Sequence, residues 1–445
     1  MTKIIHLKTA LCEGLKRPLM QPAMPENATA LTMSFDELRG SFEKFCLNAG
    51  IEVFQQLMDD EAAALCGTRY ERHSNRQGRR WGKITGKIGY HGGQMDVERP
   101  RIRDQRGRRE IPLASWTTGQ SEDWLGKWAM NQMLINVSTR KFRRSVRLPE
   151  GDIGTSNGDG TSKSAASRHF VALSSRKMKE WMASDLTPLD LVAIQIDGLY
   201  AGRDILLVGA VGIDSAGHKH PLGVVEGATE NATTVQALLD NMIDRGLDPE
   251  KAYLFIVDGA KALTKAIRRT FGGDTPIQRC QVHKSRNILE RLPDSLHASV
   301  HAVLRQVWAL NDADKAEKML RNLARRLEQQ APGSAASILE GLDEILCVAR
   351  LGLPYELRRS LACTNIIENM NGTIRQVTRN VKRWRHASMA LRWVSAGMME
   401  AAKGFRRLKA YKHLPKLKIA LQHIEKRKSA DLNNVAKLAS KKKAA

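Results

Sequence analysis

Two short stretches place an aspartate and a glycine directly after an apolar run. Ala193-Ile194-Gln195-Ile196 leads into Asp197-Gly198, and Leu254-Phe255-Ile256-Val257 leads into Asp258-Gly259. A single Asp-Gly pair is a common turn, and each of these is open to that reading. Two such acids, each ending a buried strand, carry more chemistry if the strands are neighbours. Their carboxylates then converge at one sheet edge, where open α/β folds place ligands. Like charges held that close repel, and hard divalent cations remove the repulsion. Mg²⁺ takes few carboxylates, several waters and phosphate oxygens. Two such ions roughly 4 Å apart activate a water or a 3′-hydroxyl and stabilise the leaving oxygen of an in-line phosphoryl displacement.

A third acid is needed, and Glu368 is a candidate, read as mid-helix in Thr364-Asn365-Ile366-Ile367-Glu368-Asn369-Met370-Asn371. Asn365 and Asn371 lie three residues away on either side and share its helical face, which suits a ligand set or a solvated surface. Cys280 and His283 have the spacing of half a zinc site, but no second Cys/His pair lies close enough in sequence to complete four ligands. Lys284, Arg286 and Arg291 follow as a basic helical turn that would meet a phosphate backbone or form a solvated face. Beyond Glu368 come Arg375, Arg379, Lys382, Arg383 and Trp384. Cations at helical spacing there would hold phosphates near the acids, and Trp384 fits either a base-stacking ring or the core.

The elements that position these residues are legible from texture. Leu189 to Ile196, Ile205 to Ile213 and Leu222 to Val225 are β-branched, apolar runs, read as three consecutive strands, the last two joined by a hairpin at Asp214-Ser215-Ala216-Gly217. An amphipathic helix over Thr229 to Arg245 and a strand over Ala252 to Val257 follow. The order β-β-β-α-β predicts an α/β fold with a ribonuclease-H-like mixed β-sheet core, although other α/β folds share fragments of it. A helical stretch from Lys284 to Val348 interrupts that core before the helix of Glu368, and a basic helical tail follows Ala410. Upstream the chain reads as a mostly helical, basic accessory region: a helix from Ser34 to Cys66, a Gly- and Arg-rich ribbon between Arg69 and Arg109 with its hairpin near 82–103, a helical pattern from Trp116 to Val146, a Gly/Ser/Asp loop over Gly151 to Ser164, and a basic helix from Ala165 to Ser184. The acidic, Gly-rich run from Leu148 to Gly160 has no evident role beyond a linker. These boundaries divide the chain into residues 1–186, 187–283, 284–355, 356–410 and 411–445.

Composition narrows the partner. The 445 residues carry 71 Lys+Arg against 47 Asp+Glu, a net charge of +24, while 42% of residues are hydrophobic, so the excess charge rides on a chain that can bury a core. Such a balance points to nucleic acid, bound through released counterions and therefore weakening steeply with salt. Arg79, Arg80, Arg101 and Arg103 of the ribbon are the candidate contacts in the accessory region. The six cysteines lack the dense spacing of a disulfide framework and read as reduced thiols. The most apolar stretch, Ile205 to Ile213, is too short to span a bilayer, and the first residues lack the pattern of a secretory signal. A cytoplasmic protein with no membrane association is expected.

Taken together, Asp197-Gly198, Asp258-Gly259, the run Gln278-Arg279-Cys280-Gln281-Val282-His283-Lys284-Ser285-Arg286-Asn287 and Thr364-Asn365-Ile366-Ile367-Glu368 resemble the signature of the bacterial Mutator-like transposases, the insertion-sequence 256 group. Asp258 lies 61 residues after Asp197 and Glu368 lies 110 after Asp258, room for the helical insertion this family carries there. The resemblance covers about Asp190 to Lys403 strongly. It extends more weakly upstream, through Arg99-Pro100-Arg101-Ile102-Arg103 and Val137-Ser138-Thr139-Arg140. It implies a DDE transposase that hydrolyses DNA at transposon ends and joins the freed 3′-hydroxyl to target DNA. Asp197, Asp258 and Glu368 would hold two Mg²⁺ ions, with Mn²⁺ as a substitute. In similar transposases the Cys-x-x-His pair is structural or substrate-orienting, a role extended here to Cys280, His283 and Asn365. The implied partners are double-stranded terminal repeats and target DNA, bound by a homodimer near the bacterial nucleoid. The rivals are a structure-selective nuclease on the same core, or a DNA-binding relic whose chemistry has gone.

Overall fold

The computed structural model describes residues 35–68, 76–121, 124–146, 162–202, 205–229 and 231–443. The expected helix start at Ser34, the cations Arg69 and Arg72, most of the Gly151 to Ser164 loop and the first residues of the chain lie outside them. The chain divides into two compact units, one of Met1–Ala129 with Thr139–His169, the other of Met130–Ser138 with Phe170–Ala445.

In the first unit a long helix, α1 (Phe35–Cys66), covers an antiparallel ribbon of β1 (Gly78–Tyr90), β2 (Gly93–Asp104) and the short β3 (Glu110–Ile111). The ribbon is longer than the hairpin read near 82–103. Its turn is His91-Gly92, both at positive φ, between the paired Tyr90 and Gly93, the geometry that matches strand twist in a two-residue hairpin. Ile51, Met58 and Ala62 of the helix meet Met95, Val97 and Ile102 of the ribbon in one core. Gly86 lacks a side chain because the Trp116 ring occupies that space: a Cβ there would come 2.5 Å from Trp116 Cζ2. The helical pattern from Trp116 onward resolves into α2 (Ala114–Ser121), α3 (Trp124–Leu134) and a 3₁₀ turn at Phe142–Ser145, followed by α4 (Lys163–Met182).

The second unit is built on five strands: β4 (Leu191–Ala201), β5 (Ile205–Asp214), β6 (Lys219–Glu226), β7 (Leu254–Val257) and β8 (Ile277–Arg279), in the spatial order β6-β5-β4-β7-β8. β4, β5 and β6 are antiparallel neighbours, whereas β7 and β8 run parallel to β4. Between β6 and β7 lies α5 (Ala232–Asp244), capped by Asn231, whose side chain accepts from Thr233 and Thr234 N–H. Between β7 and β8 lies α6 (Lys261–Phe271). Sequence texture does not reveal α6 or β8. The apolar stripe of α6, Leu263, Ala266, Ile267 and Phe271, is interleaved with Lys and Arg, and β8 is three residues long and buries Gln278 and Arg279.

Helices cover both sheet faces. Val192, Leu254 and Ile256 join one core, and Ile194, Ile196, Phe255 and Val257 join the other with Leu238 of α5 and Ile267 of α6. After β8 come seven helices: α7 (Gln281–Leu289), α8 (Asp294–Ala309), α9 (Ala313–Leu327), α10 (Pro332–Leu339), α11 (Leu342–Ile345), α12 (Cys347–Arg350) and α13 (Tyr355–Leu361). A separate core of Ile288, Leu304, Leu320, Leu323 and Ile338 holds the larger of these together. Then α14 (Asn365–Thr378) and α15 (Ala387–Lys403) return to the sheet with Ile367, Met370 and Val394, and the tail forms α16 (Leu414–Lys443). Among the described residues no helix is long and apolar enough to cross a membrane.

Candidate active site

The parallel register of β4 and β7 pairs Ile196 with Val257. The next residue on each strand is an aspartate, so Asp197 and Asp258 stand abreast. Asp258 directly follows β7, whereas Asp197 is internal to β4, which continues to Ala201 through its pairing with β5. The expectation that Asp197 ends its strand is corrected by that extension, since β5 supplies hydrogen-bond partners beyond the point where β7 stops. Each acid has one oxygen fixed by backbone. Asp197 Oδ1 accepts from Gly198 N–H at 2.8 Å, and Asp258 Oδ1 accepts from Ala260 N–H at 2.9 Å, closing a tight turn into α6. Gly259, inside that turn, has φ of +102°, and a Cβ there would overlap Arg279 Nε at 2.0 Å.

Asp197 is 7% exposed. Burial pushes its carboxyl up to about 6 and the neighbouring charge of Asp258 pushes the same way, against the Thr364 hydroxyl and His283. Thr364, buried immediately before α14, also donates towards Cys280 Sγ at 3.6 Å, so its single proton is shared between a thiol and a carboxylate. In the sequence Thr364 is part of the motif that carries Glu368, but its type alone assigns it no role. A hydroxyl just ahead of a helix that carries an acid is the available signal.

Glu368 lies in the first turn of α14, not mid-helix. Its Oε1 is buried without a hydrogen-bond partner and stands 3.7 Å from His283 Nε2. His283, on α7, is raised to about 9, first by Cys280, then against burial by the charges of Asp197 and Glu368. Burial pushes the Cys280 thiol up, but His283 and Thr364 outweigh it and the thiol is lowered. The structure therefore gathers Asp197, Asp258, Glu368, Cys280 and His283 around one sheet edge, with Asn365 exposed at the start of α14.

The donor set suits a hard divalent cation in kind: carboxylate oxygens, two aspartates abreast with Asp197 raised first by burial and then by its neighbour's charge, and an orphaned Glu368 Oε1. Among the described residues no three His, Cys, Asp or Glu side chains already form a ligand group, for zinc or any other ion.

The cations divide into two kinds. Arg286, Arg375, Arg379, Lys382 and Arg383 are exposed. Lys284 is not: it is 0% exposed, its Nζ donates to the Glu340 carbonyl at 3.0 Å, and burial lowers it to about 8. The expectation that Lys284 meets DNA is corrected, because its ammonium is consumed inside the protein. Trp384 takes the core alternative. It is half-buried against two apolar clusters, and a Cβ on Gly202 would come 2.4 Å from its Cδ1. In the ribbon Arg79 is exposed and Arg80 half-buried. Arg101 pairs with Glu110 at 2.8 Å, and Arg103 lies 4.5 Å over the Trp81 ring while donating to the Gly107 carbonyl.

A mixed sheet that sets two aspartates abreast, with a glutamate and a histidine beside them, defines a class: α/β proteins with a carboxylate centre at a sheet edge. The sequence profile of one family, described as "Transposase, Mutator family", matches residues 28–407, and the chain belongs to that family. Among curated proteins it is 29% identical over 231 residues to the transposase for insertion sequence element IS6120 of Mycolicibacterium smegmatis, covering 51% of this chain and 70% of that protein. It is 25% identical over 362 residues to the transposase for IS256 in transposon Tn4001 of Staphylococcus aureus, 78% of this chain and 87% of that one. It is 24% identical over 367 residues to the transposase for ISRM5 of Rhizobium meliloti, 82% and 89% of the two chains.

Proposed function

We propose that this chain is a DDE transposase of an insertion sequence, acting on the ends of its own element and on target DNA. The observation that carries this reading is the register of β4 and β7, which stands Asp197 beside Asp258, in a chain of the Mutator family. The strand order, with the third, second and first strands followed by two parallel ones, supports a ribonuclease-H-like core. In this reading residues 187–283 and 356–410 form that core, 284–355 its helical insertion, 1–186 the region that recognises transposon ends and 411–445 a basic tail. A homodimer would hold the two ends in one complex.

Asp197, Asp258 and Glu368 would hold two divalent ions. When bound, Mg²⁺, or Mn²⁺ in its place, neutralises charge on the attacking and leaving oxygens of an in-line displacement at phosphorus. The chain's own residues do the rest. Backbone N–H groups fix one oxygen of each aspartate, and the Thr364 hydroxyl also donates to the Asp197 carboxylate. The parallel pairing of β4 with β7 sets the pair side by side. His283 supplies positive charge beside Glu368 and holds α7 to α14. Arg375, Arg379, Lys382 and Arg383 position the DNA backbone. Water is the first nucleophile and a DNA 3′-hydroxyl the second, so no side chain becomes covalently attached to DNA.

The test is cleavage and strand transfer on DNA carrying the element's ends. The parent should perform both in Mg²⁺, and Asp197→Asn, Asp258→Asn and Glu368→Gln should perform neither while still binding DNA. Full activity in any one variant would remove that residue from the centre, cleavage without joining would make the protein a nuclease, and an inactive parent that binds DNA would make it a relic.

A further inference from the structure

A cleft of about 580 Å³ opens among α7, α8, α13 and the start of α14. That volume lies within the range of small-molecule sites. No Asp or Glu lines it. Three of its arginines, Arg286, Arg305 and Arg359, are exposed and make no ion pair among the described residues. A fourth, Arg358, is 5% exposed; it donates to the Leu310 carbonyl and to Asn311 Oδ1, yet its buried Nε has no partner. Two aromatic rings belong to the same cleft. Trp308 is half-buried and fixed by its Nε1 donating to Ser285 Oγ at 3.2 Å. Tyr355 is 43% exposed, with the Arg358 guanidinium 5.7 Å from its ring.

Cations and flat rings in one concavity, with acids excluded, match one ligand chemistry: a phosphate joined to an aromatic base. A paired base cannot present its face, because its neighbours in the stack cover it, whereas an unpaired one can. The cleft also adjoins the acids. Asn365 lines it and begins α14, with Glu368 one turn on, while Val282 lines it and precedes His283. We infer that the cleft receives a single unpaired nucleotide of the DNA being processed, its base against Trp308 and Tyr355 and its phosphates among Arg286, Arg305, Arg358 and Arg359. This rests on the reading of the chain as a DNA-processing enzyme. It moves the stacking role from Trp384, which is spent on the core, to the helical insertion, which then holds the strand that leaves the duplex beside the carboxylates.

The test is binding by the full chain, without divalent metal, so that cleavage plays no part. Two duplexes of the element's end are compared at fixed salt, one fully paired and one with a single unpaired 2-aminopurine next to the cleavage position. The parent should prefer the unpaired duplex by roughly 5- to 160-fold, the range for one stacked base, and quench its fluorescence. Tyr355→Ala and Arg305→Gln, both at exposed positions that put folding at little risk, should lose the preference and the quenching yet bind the paired duplex about as well as the parent. Tyr355→Phe should retain both. Equal affinity for the two duplexes in the parent, or an undiminished preference in both variants, would overturn the cleft assignment while leaving the function reading standing. Equal affinity together with tight binding of free deoxyadenosine monophosphate would replace DNA by a free nucleotide as occupant. Failure to bind either duplex would overturn both readings.

Discussion

The sheet edge and the ribbon hold charge in opposite ways. At the sheet edge Asp197 is almost wholly buried beside a second aspartate, and burial first, then that neighbour's charge, raises its pKa against Thr364, His283 and Gly198 N–H. In the ribbon the ions lie at the surface and find partners across strands. Lys83 pairs with Glu98 at 3.0 Å, and Glu110 receives Arg99 and Arg101. Surface pairs of that kind contribute about 0–1 kcal/mol each and are screened by salt, whereas a buried charge of one sign costs several kcal/mol unless a counter-charge arrives. The difference separates two uses of charge. In the proposed function the ribbon would offer weak, interchangeable contacts to a polyanion; the sheet edge concentrates a few acids that no neighbour can replace.

That contrast is open to being broken, and the largest expected effect is on chemistry. Chelating divalent ions should lower DNA cleavage on the order of 10³-fold or more, as should Asp258→Asn, with affinity for DNA nearly unchanged. A residual rate above a tenth of the parent's would place the chemistry elsewhere. The next effect is on stability. Gly259→Ala forces a Cβ into Arg279 at positive φ and should cost about 1–3 kcal/mol by denaturant midpoint. Gly273→Ala, with nothing within 4 Å of the added carbon, should cost less than about 1 kcal/mol.

Lys284 sharpens the same point with the opposite charge. Its folded pKa, about 8, lies below the ordinary 10.5, so the unfolded chain binds the proton more tightly. Its burial therefore destabilises the fold below about pH 8, and stability is regained as pH rises from about 8 towards 10.5. Lys284→Met should be neutral or stabilising by up to about 3 kcal/mol at pH 7 and should flatten that rise in a melting series. A loss of stability would mean that its hydrogen bond to Glu340 outweighs desolvation. The smallest effect belongs to the ribbon. Arg79→Ala should weaken DNA binding only a few-fold and reduce the slope of log affinity against log salt by about 1; an unchanged slope would remove that side chain from the phosphate contacts.

Much of the second unit is legible in sequence because strands buried on both faces are written as continuous apolar runs, and β4, β5 and β7 have that texture. What escapes depends on tertiary context. β8 is only Ile277, Gln278 and Arg279, and becomes a strand because β7 has a free edge for it. Asp197 looks terminal because the apolar run stops there, but the antiparallel partner β5 carries the strand on. The acids can be nominated from spacing, yet the burial that perturbs Asp197 and the engagement of Glu368 by His283 exist only once α7 and α14 meet the sheet. Lys284 is unreadable for a related reason: amid Arg286 and Arg291 it has the texture of a solvated face, and only packing against α10 and the residues that follow it turns it inward. The cleft arginines and rings are dispersed from Arg286 to Arg359, and no local motif joins them.

In the proposed function Asp197 and Asp258, set abreast by β4 and β7, would form one cation site with Glu368. Mn²⁺ binding to the full chain, followed by electron paramagnetic resonance and calorimetry, tests this most directly and needs no DNA substrate. The parent should bind the ion, with affinity falling at least about tenfold in Asp197→Asn and in Asp258→Asn and less in Glu368→Gln. Binding that is unchanged in both aspartate variants would contradict the shared site.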